Sequence, residues 1–155
     1  MGFELRREVV LTFDPPYDGL EIRCSATVPV RRVFELTRAA AEIPDDDDGS
    51  GFERVMQLWV DIVQPRWNAE LDGQPVPCTA QAIVNLLPAE LAFRLVPTWR
   101  DAVTGVSAPA ELTEALALHD ICRVYPGYTP EEALEAPAWV LQNIAILRTA
   151  GVING

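Results

Sequence analysis

His119 and Cys122 are the two side chains of this sequence best suited to holding a metal together, and they stand three residues apart. On a helix that spacing puts both on one side. A structural zinc needs four ligands. The sequence has one histidine, and its three cysteines, Cys24, Cys78 and Cys122, are far apart with no CxxC among them. Two ligands do not make a site, so the pair is expected to face the core or a partner. The acidic run offers a second metal chemistry. Asp46, Asp48 and Ser50 alternate as in a calcium loop, and Gly51 follows. The ninth position is Arg54 and the twelfth is Gln57, where such a loop needs a bidentate glutamate. The better expectation is a capping box of Ser50 and Glu53, with the aspartates complementing the dipole at a helix start. No GxSxG, P-loop, GxGxxG or HExxH is present. Pairs such as Glu131–Glu132 read as caps, whereas acid–base catalysis needs carboxylates in a pocket. No catalytic residue, metal or cofactor is expected, and the chain is not expected to be an enzyme.

The stretch QPRWNAELDGQPVPCT, Gln64 to Thr79, brings an aromatic and a thiol close in sequence. It could be a ligand platform or a connector. Asp72-Gly73 signals a turn, Pro75 and Pro77 stiffen an extended run, and Thr79 can cap a following helix. The connector reading is favoured, with Trp67 and Trp99 as packing anchors.

Composition removes other classes. A length of 155 residues suits one domain, or one with a small appendage. Hydrophobic residues make up 49% and charged residues 23%, which argues against wholesale disorder. The net charge is −11 and every basic residue is arginine. Phosphate backbones would be repelled, so no nucleic acid is expected as a partner. No apolar run approaches the roughly 18 residues that cross a bilayer, so no membrane is expected either. MGFELRREVV carries neither the apolar core nor the cleavage site of a signal peptide. The expectation is a cytoplasmic protein with reduced cysteines.

The elements follow from periodicity. Phe3, Leu5, Val9, Leu11 and Phe13 share one face of an alternating stretch, interrupted by Arg7. Leu20, Ile22, Cys24, Ala26 and Val28 do the same after the turn cluster DPPYDG. This is a β-hairpin that must cover something, since two strands alone are marginal. Pro29 opens a helix with an inward stripe of Val30, Val33, Phe34, Thr37 and Ala41. After the acidic run, Phe52, Val55, Met56, Trp59, Ile62 and Val63 line a second helix. TAQAIVNLL is a short helix. PAELAFRLVPTWRDAVTG is another, with a kink or break expected at Pro97 and Gly105 as its C-cap. Beyond the small-residue linker at 107–111, Leu112, Leu116, His119 and Val124 or Arg123 fall near one side of a helix. Thr129, Pro130 and Glu132 mark the start of the next. Pro137 restarts the chain into AWVLQNIAILRTAG, where Trp139, Val140, Ile144 and Leu147 line one face and Gly151 ends the helix. The fold class is α+β, mainly α: an N-terminal β-hairpin packed on a helical bundle over 1–106, then a small C-terminal helical segment over 112–155.

Several stretches share wording with one family. They are LTFDPPYDG from Leu11 to Gly19, Trp67-Asn68 after a helix, Asp72-Gly73, Pro75 to Thr79, LLPAEL from Leu86 to Leu91, and WRDAVTGVSAP from Trp99 to Pro109. In this order they resemble the tail assembly chaperones of long-tailed, siphovirus-like phages of actinobacteria, over about residues 1–109. The resemblance implies a non-enzymatic protein that binds the tape measure protein, helps recruit tail tube subunits in the host cytoplasm and is absent from the mature virion. It is compatible with a homo-oligomer. In that family a ribosomal frameshift adds a second segment to some molecules, and the helical stretch after Pro109 would fit such an addition. The face of Trp139, Val140, Ile144 and Leu147 is the expected partner contact, since amphipathic partner helices are gripped at such spacing. The alternative is a structural virion protein of the head–tail connector or tail terminator class.

Overall fold

A computed structural model describes residues 7–105 and 113–152. The expected linker at 107–111, and Phe3, Leu5 and Leu112 of the expected apolar faces, lie outside these residues. The architecture is α+β and mainly helical, as the sequence led us to expect.

Strand β1 (Glu8–Leu11) pairs antiparallel with β2 (Ile22–Ser25), Leu11 opposite Ile22 and Val9 opposite Cys24. Both strands are shorter than the alternating stretches, yet the alternation sets the faces. Leu11, Ile22, Cys24, Ala26 and Val28 are buried, while Glu8 and Arg23 face out. Arg7, the one charge at an inward position by parity, is accommodated by an aromatic: its guanidinium lies 4.0 Å from the centre of the Trp139 ring.

A third strand completes the sheet. Strand β3 (Arg66–Trp67) pairs with the far side of β2, with Ile22 opposite Trp67 and Arg23 opposite Arg66. Asn68 secures this junction. Its Nδ2 donates to the Gly19 carbonyl (3.0 Å), and its Oδ1 accepts from the Glu21 amide (2.9 Å). Strands β4 (Glu70–Leu71) and β5 (Gln74–Pro75) then form a small hairpin. Asp72 (φ 52°) and Gly73 (φ 77°) are both left-handed, as a two-residue type I′ turn requires. Trp67 is half-buried and donates from Nε1 to the Val76 carbonyl across this hairpin. The segment is the expected connector, and Trp67 anchors it.

Helix α1 (Val30–Ala41) is buried on two sides. Val33 and Leu36 enter a main core with the sheet, α2 (Ser50–Val63) and α5 (Leu95–Thr104). Val30 and Phe34 enter a second core. The expected stripe missed Leu36, which is fully buried, and included Ala41, which is exposed. A single stripe cannot describe a helix gripped from two directions.

The start of α2 differs from the expected capping box. Ser50 is already helical, and the Asp47 carboxylate does the capping. It accepts from the amides of Gly49 (3.0 Å), Gly51 (3.1 Å) and Phe52 (3.3 Å). Asp48 Oδ1 accepts from the Ser50 amide. With Ser50 and all that follows to Val63 wound into helix, the acidic run does not wrap as a calcium loop does.

Thr79 caps α3 (Ala80–Leu86), as expected, by accepting from the Ala82 amide at 3.1 Å. The expected break at Pro97 comes earlier. Helix α4 (Ala89–Ala92) ends at Phe93, and α5 begins at Leu95, so Pro97 lies in the first turn where its missing N–H costs nothing. Trp59 and Trp99 are fully buried in the main core, and neither indole N–H has an acceptor among the described residues. Packing alone holds them.

The C-terminal helices are α6 (Glu114–Val124), α7 (Pro130–Glu135) and α8 (Trp139–Thr149). Thr129 caps α7 by accepting from the Glu132 amide. Ala117, Ile121, Ala133, Ala136, Val140, Leu141 and Ile144 close the second core on Val30 and Phe34. Backbone bonds reinforce this union. Val30 N donates to the Ala136 carbonyl (2.8 Å), Ala138 N to Val28 (2.7 Å) and Trp139 N to Ala26 (3.1 Å). Helix α6 turns a different side inward from the one expected: Ala117 and Ile121 are buried, while Leu116 and His119 are exposed.

Candidate functional site

The four residues expected to contact a partner divide on α8. Val140 and Ile144 are 3% and 2% exposed, inside the second core. Trp139 is half-buried between the two cores, under Arg7. Leu147 is half-buried. The i, i+4 pair at 140 and 144 is thus a packing seam within the second core, and a partner cannot reach it in this arrangement. Periodicity marks the buried side of an amphipathic helix but does not say whether the chain's own core or another protein covers it. The open part of α8 is offset from the expected face. Ile146 is 58% exposed, beside a groove of about 400 Å³ lined by Gly105, Gln142, Ala145, Ile146, Thr149 and Ala150.

The residues with chemical potential are dispersed. Burial pushes the Cys24 and Cys78 thiols up to about 12, so neither is a nucleophile near neutral pH. Cys122 is half-buried at the edge of the second core, whereas His119 is exposed. Among the described residues, no three of His, Cys, Asp or Glu are grouped to hold a metal ion.

One concentration of charge was not foreseen from the sequence. A cleft of about 800 Å³ lies between the sheet and the carboxyl end of α2. Arg7, Glu8, Arg23 and Arg66 supply its charges, with Ser25 and Thr27 as hydroxyls and Val60, Val63, Pro65 and Cys78 as apolar wall. Arg66 forms an ion pair with Glu8. Ser25 Oγ and Thr27 Oγ1 are 2.7 Å apart, so they are hydrogen-bonded to each other. The period-two alternation already puts Arg23 on the outer face of β2. Nothing in the sequence announces that Arg66, from a two-residue strand 43 positions later, is its cross-strand partner.

The chain matches no family model, no curated protein and no solved structure.

Proposed function

We propose that this protein is a phage tail assembly chaperone, which binds the tape measure protein and helps recruit tail tube subunits without catalysing a reaction. The reading rests on the ordered wording shared with that family across residues 1–109. The structural roles of those words add support. Asn68 ties β3 to the β1–β2 connection, Asp72-Gly73 makes a hairpin turn, and Trp99 fills the main core.

The partner surface on α8 is its open portion, around Ile146 and Leu147, since Val140 and Ile144 serve the core. The test is co-expression with a tape measure protein, which on this reading would be encoded by a very long, helix-rich reading frame near this gene. The full chain should co-purify with it, and the Ile146→Asp, Leu147→Asp double variant should reduce recovery while keeping the parent circular dichroism. Failure of the parent chain to co-purify, or its detection in purified virions, would overturn the proposal. Detection in virions would favour a connector or terminator protein instead.

A further inference from the structure

We propose that the arginine cleft beside β2 docks a short, carboxylate-bearing segment of a partner protein. Across the chain, acidic residues outnumber basic ones by 23 to 12. Among the residues lining the cleft the balance reverses, with three arginines to one glutamate. Glu8 is occupied by Arg66. The carboxyl end of α2, which has no basic residue in its last turn, adds roughly half a negative charge. Together these offset about one and a half of the three positive charges, so the cleft remains net positive. One of its cations is held in place before any ligand arrives: Arg66 is held by Glu8, whereas the Arg7 guanidinium is engaged on the Trp139 ring. Pre-set donors lose little freedom on binding, which favours a forked guanidinium grip on carboxylates. Arg23 stands across from Arg66 with no ion-pair partner among the described residues.

The other walls select among anions. Val60 and Cys78 present apolar surface, and Val10, opposite Arg23 in the sheet, is 42% exposed. A bare inorganic anion would leave that surface wet and most of the 800 Å³ unfilled. A nucleic-acid backbone would bring many charges toward a chain of net charge −11. A peptide segment with carboxylates spaced by apolar side chains matches both the guanidinium groups and the wall. This inference stands independently of the chaperone reading.

The probe is a short fluorescein-labelled peptide of alternating glutamate and leucine, followed by fluorescence anisotropy with the full chain. The parent should bind it, more weakly as salt rises. Arg23→Glu should weaken binding by about tenfold or more, and Arg23→Gln by a few fold. Arg54→Glu makes the same change in net charge at an exposed position on α2 outside the cleft, and should leave binding unchanged. Circular dichroism of each variant keeps loss of fold separate from loss of binding. The proposal is overturned by no binding to the parent, by equal losses in Arg23→Glu and Arg54→Glu, or by inorganic phosphate or a single-stranded oligonucleotide competing as well as unlabelled peptide.

Discussion

Removing everything after Pro109 should weaken the part that remains, because α1 faces both cores. Val30 is fully buried and Phe34 is 7% exposed, and both are covered by the C-terminal helices. Exposing a side chain of this size costs about 1.5–3 kcal/mol, so the pair alone accounts for roughly 3–6 kcal/mol as an upper range. Three backbone bonds from the 136–139 segment to Ala26, Val28 and Val30 would pass to water, at about 0.5–1.5 kcal/mol each. Ion pairs that also cross this junction, Arg31–Glu135 (2.6 Å) and Arg38–Glu114 (3.5 Å), are exposed and add little. A domain holds only about 5–15 kcal/mol in all, so a loss of this size brings the truncated chain close to unfolding. Urea titration followed by tryptophan fluorescence measures it, since Trp59 and Trp99 report on the main core. The full chain should unfold in one transition, and the truncated chain at a much lower urea concentration. Phe34→Ala in the full chain should lower the same single transition by about 3–5 kcal/mol. Equal midpoints for full and truncated chains, or two well-separated transitions in the full chain, would refute the argument that the cores are coupled through α1.

The remaining predictions concern single side chains. Asp47→Ala should cost about 1–2 kcal/mol by freeing three amides at the start of α2, whereas Asp45→Ala should stay within about 0.5 kcal/mol. Equal effects in thermal melts would return the cap to the acidic run as a whole. Gly105→Ala should destabilise by about 1–2 kcal/mol, because φ is +71° and an added Cβ would sit 3.0 Å from that of Ala145 on α8. An unchanged melting temperature would mean that α8 yields at this contact.

Local chemistry was legible in the sequence wherever one short segment settles the outcome. The hairpin faces, the Thr79 and Thr129 caps, the Asp72-Gly73 turn and the Gly105 cap each depend on a few neighbouring residues, and the structure realises each of them. Two misses are local, since Asp47 and not Ser50 caps α2 and the break expected at Pro97 falls before Leu95, and the others are tertiary. Leu36 lies off the stripe drawn for α1 because a second core claims Val30 and Phe34, leaving room for the first core to take Leu36. Leu116 and His119 share a side of α6, but the helix turns Ala117 and Ile121 inward, where it packs on α7 and α8.

The α8 face shows the same limit with a functional consequence. A stripe at i, i+3, i+4 spacing reports that something apolar covers it. When a chain can supply that cover from its own helices, here α5 and α6, the intramolecular contact avoids the entropy of association that a partner must overcome. Internal cover is therefore the default, and a surface for partners is better sought where burial leaves a chemical imbalance that the fold does not satisfy. In this chain the arginine cleft fits that description more closely than the buried seam of α8.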